Sequence, residues 1–533
     1  MTDYQHQIPQ IPGALQLDGQ GALSILIMGI GESGQAMAKW ALSQGAKVSM
    51  HDTRLQNTLS QGAQEKVQIL QNLGIQISFG KEDNSPNLES INVIAMSPGI
   101  SPIEPWIAQL FQKAKERNIA IWGELDLFKN ALKALKQDRQ YIPKIVAITG
   151  TNGKTTTTAL SGIVFEKTGH TVAVAGNISP ALLDKLSQCL IEDNLPEIWV
   201  LELSSYQLYY SKDFNPDAAT VLNITEDHLD WHGDMEHYWA AKKKIFGLNT
   251  VPVLNRDDPK VMSMVDLQKK DLPRVITFGI DTPLEQDSFG IVGDKSGGID
   301  WLAWVMPPED LGQRRRRRIK AVSDEYEQPI QIKRLIPTEA LLIKGRHNAT
   351  NTLAALGLGQ AIQLSMASLL HGLRDYRGEP HRVQGIAVVD DVEYIDDSKG
   401  TNVGATLAAL EGLGVTAGNQ KIILIAGGDG KGQNFAPLTS AIHQYVKHVF
   451  LLGKDAQKID EVIDHQKVTV TRVSSIEEAV AQAASFAKAG DKVLLSPACA
   501  SLDMFKDYVH RAEVFANAVN ELGHQTQRVE VGL

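Results

Sequence analysis

The sequence predicts an α/β protein of three domains. Short apolar, β-branched runs alternate with helical stretches along the whole chain, and those runs end repeatedly in glycine-rich or polar turns. The third observation is length: 533 residues exceed the roughly 250–300 at which a single core stops growing. Composition narrows the class. The net charge of −10 argues against general nucleic-acid binding and against an anionic membrane surface. Cys189 and Cys499 lie far apart and form neither a disulfide framework nor a zinc spacing, which fits a reducing cytosol. The first ten residues are polar, and the first apolar run, 22–30, is short and ends in glycines. Neither a signal peptide nor a membrane span is predicted.

The first unit covers residues 1–122. A strand at 24–28 runs into Gly29-Ile-Gly31-Glu-Ser-Gly34 and a helix through Trp40 to Leu42. This is G-x-G-x-x-G in strand–turn–helix context, the Rossmann-like arrangement that sets a phosphate against a helix N-terminus. A second strand, 47–51, ends in Asp52-Thr53-Arg54. Asp52 could hold a nicotinamide ribose; Arg54 beside it weakens that reading, and an empty scaffold is the plain alternative. A strand at 91–96 leads to Ser97-Pro98-Gly99, either a ligand-facing turn at a strand's carboxyl end or an ordinary turn. A helix over 105–117 and a strand over 119–122 complete the unit.

The second unit, 123–379, opens with a helix to about residue 135 and is built around 145–158, IVAITGTNGKTTTT. Residues 145–148 read as a buried parallel strand. Gly150 and Gly153 make a tight turn, and Lys154 and Thr155 start a helix. Glycines let backbone N–H groups face phosphate oxygens, Lys154 reaches the β/γ-phosphates, and the Thr155 hydroxyl suits Mg²⁺. Counting back from Gly153, the usual first glycine is Ile148, so this is a shortened phosphate loop shaped by Gly150 and Asn152. Strands at 171–174, 199–201 and 219–222 end in Gly176-Asn177, Glu202-Leu203-Ser204-Ser205 and Asn223 to His228. In a parallel sheet those ends share one edge. Glu202 offers carboxylate oxygen to a hard cation; a cap or salt bridge is its bland role. A lone histidine such as His228 is more often structural. The helix at 235–246 carries Lys242-Lys243-Lys244, which by default is a solvated face. A strand and turn follow at 252–258. At about 281–340 the pattern loosens, and five arginines run through 314–318; the stretch reads as a flexible, solvated insertion without catalytic role. A helix then runs from His347-Asn348-Ala-Thr-Asn351 to about 360; its asparagines suit either an adenine or N-capping.

The third unit, 380–533, is a second doubly wound arrangement. His381-Arg382 precedes strands at 385–390 and 392–395, and Asp397-Ser-Lys399-Gly-Thr401 follows. Strands at 422–426, 449–452 and 493–495 end in Gly427-Gly-Asp-Gly-Lys431, Gly453-Lys454 and Ser496-Pro-Ala-Cys-Ala-Ser501; the last helix carries Tyr508. The Lys431 turn lacks the Ser or Thr of a phosphate loop and reads as a carboxylate or anion site.

In order, Gly150-Thr-Asn-Gly-Lys-Thr-Thr156, Glu202-Leu-Ser-Ser, Asn223-x-Thr-x-Asp-His228 and His347-Asn-x-x-Asn351 resemble the motifs of the Mur ligase family, ATP-dependent amide-forming enzymes of peptidoglycan synthesis. Asp52-Thr-Arg54, Ser97-Pro-Gly-Ile, Asp397-Ser-Lys-x-Thr-Asn402, the Lys431 turn and Ser496 to Phe505 look like its D-glutamate-adding branch. The resemblance covers all three domains and omits mainly 281–340. It implies a Rossmann-like N-terminal domain that holds UDP rather than NAD, a central P-loop ATPase-like domain and a Rossmann-like C-terminal domain for the amino acid. Ser33, Asp52, Thr53, Arg54 and Ser97 would lie near the uridine diphosphate, and Asn177 and Ser204 at the muramoyl-alanine end. Gly150, Thr151, Asn152, Gly153, Lys154, Thr155 and Thr156 would hold ATP phosphates and Mg²⁺. Of two Mg²⁺ ions, Glu202 would bind one and His228 the other, against the bland reading of that histidine. Lys242 matches a position carbamylated by CO₂, where an oxygen-rich anion suits Mg²⁺ better than an ammonium. Asn348, Asn351, Arg382, Asp397 and Lys399 would position adenosine, and Thr401 would lie near ADP or D-glutamate. Lys431, Ser501 and Tyr508 would bind D-glutamate; the family usually has Phe at the last position and Ala where Gly400 stands. The implied reactants are UDP-N-acetylmuramoyl-L-alanine, D-glutamate and ATP, with no nucleic acid, for a monomer in the cytoplasm. Competing readings are a sister ligase or folylpolyglutamate synthetase, an NAD-dependent oxidoreductase built on the Gly29–Gly34 turn, and a non-catalytic ATP-binding switch.

Overall fold

The computed structural model describes residues 7–15, 23–81, 86–269, 273–293, 299–306, 331–343, 345–417, 421–526 and 529–531. The arginines at 314–318 lie outside them. Three sheets carry the fold. The first contains β1 (Ser24–Met28), β2 (Lys47–Asp52), β3 (Gln76–Phe79), β4 (Val93–Met96) and β5 (Ala120–Gly123), in the order β3-β2-β1-β4-β5. All its pairings are parallel. The order reverses between β1 and β4, where open α/β sheets place a ligand crevice. The helix Glu32–Ser43 starts hard against the end of β1. A Cβ on Gly34 would sit 2.0 Å from the Gly29 carbonyl oxygen, so this approach requires glycine.

The central sheet has nine strands: β6 (Lys144–Thr149), β7 (Val172–Gly176), β8 (Ile198–Glu202), β9 (Ala218–Val221), β10 (Val251–Asn255), β11 (Ile276–Phe278), β12 (Ser288–Val292), β13 (Trp301–Val305) and β14 (Ile332–Pro337). Their order is β14-β13-β12-β11-β10-β9-β6-β8-β7. β6 pairs in parallel with both β8 and β9. The phosphate loop after β6 is therefore flanked by Glu202 on one side and Asn223 to His228 on the other.

The third sheet has seven strands: β15 (Gln384–Val389), β16 (Val392–Asp396), β17 (Ile422–Gly427), β18 (Val446–Leu452), β19 (Thr469–Arg472), β20 (Lys492–Leu495) and β21 (Val529–Val531). Its order is β19-β18-β17-β20-β16-β15-β21, with β15 antiparallel to both neighbours. All six residues of β17 are buried, as expected of a strand covered on both faces.

The first two sheets share a core. One apolar cluster runs from Ile25 and Trp40 through Phe128 of the helix Glu124–Arg139 to Leu186 and Trp199. The third sheet meets the second through polar contacts at the phosphate loop: Arg382 Nη2 donates to Thr155 Oγ1 at 3.0 Å, and Asn402 Nδ2 to Asn152 Oδ1 at 3.0 Å.

The stretch at 281–340 corrects the sequence reading. Its described part is not a solvated insertion: β12, β13 and β14 extend the central sheet, with β13 antiparallel to both neighbours. Phe289 and Trp304 stack at 5.6 Å between centroids, and Trp304 is 3% exposed. Glycines, aspartates and prolines at the turns hide this pattern, because each strand is short. Trp304→Ala should cost about 3–5 kcal/mol of stability, the usual range for truncating a buried tryptophan, measured as a lower midpoint in urea unfolding.

Candidate active site

The phosphate loop is held from both sides. Asn223 clamps it twice, accepting from Asn152 N at 2.8 Å and donating to Asn152 O at 3.1 Å. Thr151 Oγ1 bonds the Tyr238 hydroxyl at 3.0 Å. Gly153 has φ +82°, and a Cβ there would lie 2.5 Å from Asn351 Oδ1. Lys154 folds over its own loop and donates to the Gly150 and Thr151 carbonyls at 2.9 and 2.8 Å. Its ammonium thus sits beside the loop's backbone, and the helix Lys154–Glu166 begins at that point.

Glu202 ends β8 at 1% exposure. Its Oε1 accepts from Asn177 Nδ2 at 2.8 Å, while Oε2 is buried without a hydrogen-bond partner among the described residues. A buried carboxylate oxygen left open is what a cation needs, and the donor set fits Mg²⁺, which takes one or two carboxylates and completes its shell with phosphate and water. No group of three His, Cys, Asp or Glu side chains able to hold a metal exists among the described residues. Substrate oxygens and the Thr155 hydroxyl would therefore complete the shell. The bland reading of Glu202 as a cap does not hold: Ser204 caps the next helix, in a capping box with Gln207.

His228 adopts φ 57° before the short helix Leu229–His232, and its ring packs 4.8 Å from Tyr206. Burial, opposed by Asp227 and aided by Lys431, Lys154 and Lys242, drops its pKa to about 4, so the neutral imidazole is the form present. The charges that act on it come from the phosphate loop (Lys154), the helix Met235–Lys243 (Lys242) and the third sheet (Lys431), which therefore face one cleft.

Lys242 contradicts its reading as part of a solvated face. It is 1% exposed, donates to Gly150 O at 2.8 Å and Thr149 Oγ1 at 3.2 Å, and lies 4.8 Å over the Tyr238 ring. Burial and the Lys154 charge push its pKa well below the ordinary lysine value, against the pull of Asp227 and Glu202. Lys243 and Lys244 do face outward. Three consecutive lysines occupy three helix directions, so only the packing could single one out.

Two cavities flank this centre. One, of about 460 Å³, lies at the β1/β4 reversal and is lined by Ser33, Asp52, Thr53, Arg54, Ser97 and Asn177 among others. Asp52 is already engaged: it accepts from Ile30 N at 3.1 Å and from Arg54 Nε and Nη2 at 2.8 and 2.9 Å. Burial opposes its charge, but these bonds outweigh it and hold the carboxyl below its ordinary range. The Arg54 pairing leaves less of Asp52 for a ribose than a nicotinamide site would need. Ser33 Oγ donates to Glu124 Oε2 at 2.7 Å, a partner the sequence reading missed because a glutamate after a glycine carries no motif.

The other cavity, about 330 Å³, separates the second and third sheets; Asn152, Gly153, Thr156, Asn348, Asn351, Arg382 and Asp397 line it. Gly345 is the N-cap of the helix Arg346–Ala361, so the capping alternative for Asn348 and Asn351 falls. Asp397 accepts from Ser496 Oγ at 2.7 Å. Lys399 lies 5.4 Å over the Tyr508 ring, and burial with the Arg382 charge lowers its pKa to about 8, against the pull of Glu202. Thr401 N donates to Lys399 O at 2.9 Å. The Lys431 turn and the Ser501 loop are joined by the Asp429–Ala500 bridge, and Lys454 Nζ donates to Asp429 at 2.9 Å.

Fold and cleft first define a class: a three-domain α/β protein with a P-loop-like turn where the second and third sheets meet. Comparison with known proteins narrows it. Residues 23–123 match the Mur ligase MurD-like N-terminal domain, 148–359 the Mur ligase middle domain and 381–499 the Mur ligase glutamate ligase domain. The chain is 50% identical over 504 residues to the UDP-N-acetylmuramoylalanine–D-glutamate ligase of Cupriavidus metallidurans, covering 93% of this chain and 97% of that one. The enzyme of the same name from Ralstonia nicotianae is 48% identical over 500 residues, with the same coverage of each chain. Among solved structures, MurF from Acinetobacter baumannii has a TM-score of 0.55 at 15% identity over 95% of each chain. MurF from Thermotoga maritima in complex with ADP has 0.54 at 15%, over 89% of this chain and 95% of that one, and shows likeness of fold. The chain belongs to the Mur ligase family.

The Asp397 carboxyl gives a pH signature. Burial lifts its pKa from 3.8 to about 7, despite the hydrogen bond from Ser496. An acid raised in the folded state holds its proton between those values only when folded, so its contribution to stability falls as pH rises through that window. Asp397→Asn should therefore flatten the decline of Tm between about pH 4 and 7, read by calorimetry.

Proposed function

We propose that this chain joins D-glutamate to UDP-N-acetylmuramoyl-L-alanine, with ATP cleaved to ADP and phosphate, in cytoplasmic peptidoglycan precursor synthesis. The observation that carries the reading is near-50% identity to D-glutamate ligases along almost the whole chain. No described helix is long and apolar enough to cross a membrane. We take the working unit to be a monomer. Residues 1–122 serve the UDP end, 123–379 the ATP and 380–533 the amino acid.

The reaction runs in two steps. A carboxylate oxygen of the L-alanyl group attacks the γ-phosphorus of ATP; the O–P bond forms, the β,γ-bridging bond breaks and ADP leaves. The amine of D-glutamate then attacks the acyl phosphate carbonyl, loses a proton and expels phosphate. A free carboxylate is a poor acylating agent, and phosphorylation supplies the leaving group. The protein's part is mainly positioning and charge neutralisation. Lys154 exchanges the Gly150 and Thr151 carbonyls for phosphate oxygens, while Gly150, Thr151, Asn152, Gly153, Thr155 and Thr156 cradle the rest. Asn348, Asn351, Arg382, Asp397 and Lys399 seat the adenosine end. Ser33, Asp52, Thr53, Arg54, Ser97, Asn177 and Ser204 hold the UDP-linked acid, and Thr401, Lys431, Ser501 and Tyr508 the incoming amino acid. Thr155 and Glu202 would hold one Mg²⁺ and His228 with Lys242 a second, and such ions neutralise charge on the transferred phosphoryl group.

Lys242 fits a CO₂-derived carbamate. A buried amine whose charge is disfavoured keeps the lone pair that CO₂ needs, and the product is an oxygen-rich anion at the loop. Lys242→Ala should lower turnover by about 10²–10³-fold, the scale of removing one preorganised electrostatic group, with UDP-substrate affinity largely retained. Near-normal turnover in that variant removes the carbamate. The reading as a whole is tested with an amino-acid panel, UDP-N-acetylmuramoyl-L-alanine, ATP and Mg²⁺, scored by phosphate release. D-glutamate is expected to be the acceptor that triggers it; release with another amino acid instead would move the chain to a sister branch.

A further inference from the structure

Glu124 follows β5 and is 2% exposed, at the seam between the first two sheets. Its Oε2 accepts from Ser33 Oγ at 2.7 Å and its Oε1 from Leu183 N at 3.2 Å. The two partners belong to two stretches that border the 460 Å³ cavity, one through Ser33 itself and the other through Asn177 and Ala181, just before Leu183; these stretches form two of its lips. Ser33 lies in the first turn of the helix Glu32–Ser43, beside the G-x-G-x-x-G turn. Leu183 lies in the first turn of the helix Leu182–Ile191, just after the Asn177 loop. At the exposed rim Ser179 Oγ donates to Glu32 Oε1 at 2.9 Å and ties the same lips again. Among the described residues Glu124 forms no ion pair, and the charge beside it, Asp184, has the same sign. A buried carboxyl without a cation is costly unless each oxygen is used, and here both oxygens serve to connect the lips.

We propose that Glu124 is a positioning residue for the UDP-linked substrate: it fixes the Ser33 hydroxyl opposite the Asn177 loop and turns its proton toward the diphosphate. This rests on reading that cavity as the UDP end. A serine hydroxyl has one proton to give. When Glu124 is charged, that proton is committed to the carboxylate. When Glu124 is protonated, the 2.7 Å contact can reverse, so that Glu124 donates to Ser33 Oγ and the serine proton is free for a phosphate oxygen. Burial, reinforced by Asp184 and opposed by the Ser33 and Leu183 hydrogen bonds, lifts Glu124 to about 7, so the neutral acid is accessible near neutrality. Glutamine reproduces the neutral acid, with an acceptor for Leu183 N and a donor for Ser33.

The test uses the full chain, with UDP-N-acetylmuramoyl-L-alanine binding measured by calorimetry and KM determined for each of the three substrates. Glu124→Ala should weaken UDP-substrate binding by about 10–30-fold, the effect of losing one hydrogen bond to a charged group, with KM for ATP and D-glutamate changed less than about twofold. Glu124→Gln should stay within about threefold of the parent. On a Ser33→Ala background, Glu124→Ala should add less than about twofold, because the serine it serves is already gone. Should Glu124→Ala not fold, Glu124→Asp, whose shorter side chain withdraws the carboxyl from Ser33, carries the same expectation. Equal rises in all three KM values, glutamine as damaging as alanine, or full additivity with Ser33→Ala would each overturn the proposal. Arg54→Ala separates the two readings. If it binds the UDP-substrate normally, the cavity is not the UDP end and both fall; if it loses binding while the alanine and aspartate variants at Glu124 do not, only the positioning role falls.

Discussion

Three parallel strands ending at one edge are the constraint on which the cleft depends. Because β6 lies between β8 and β9, the phosphate loop opens with Glu202 on one flank and Asn223 on the other. Asn223 then clamps the loop's backbone through both polar atoms of its amide. A one-residue slip of β8 against β6 would turn Glu202 to the opposite face of the sheet. The buried, β-branched and aliphatic faces of these strands specify the register, so apolar packing far from the chemistry sets the position of the charged groups.

Burial does the rest of the electrostatic work. Lys154 and Lys242 are both withdrawn from water beside the same loop; the Lys154 charge disfavours that of Lys242, and Arg382 disfavours that of Lys154. Glu202 and Asp227 pull the opposite way. Such a centre is poorly balanced by itself: the Glu202 Oε2 oxygen has no partner among the described residues, and Lys154 spends its hydrogen bonds on its own loop. A polyphosphate with its cations would supply both partners, in line with the proposed phosphoryl transfer at this edge of the sheet.

The contacts between sheets differ in kind. The first and second share an apolar core and move as one body to the extent that this core holds. The third touches the phosphate loop through Arg382 and Asn402, polar contacts that a nucleotide can replace. The 330 Å³ cavity lined by Asn348, Asn351 and Arg382 lies between these same two sheets.

Much of this was legible in the chain. Strand ends, the glycines at 29, 34, 150 and 153 and the Lys154 loop are local features: a positive φ or a close backbone approach dictates the residue type wherever it occurs. The alternation of short apolar runs with helices likewise determined the α/β class. Other features were not local. Lys242 is chemically identical to its two neighbours and differs only in the face it turns to Thr149. Glu124 acquires its meaning from Ser33, 91 positions away. The strands after residue 281 join a sheet whose edge no short window can reveal. Sequence by itself determined which backbone shapes and side-chain chemistries were available; tertiary structure decided which of several equivalent groups lost their water, because desolvation depends on neighbours brought together from distant parts of the chain.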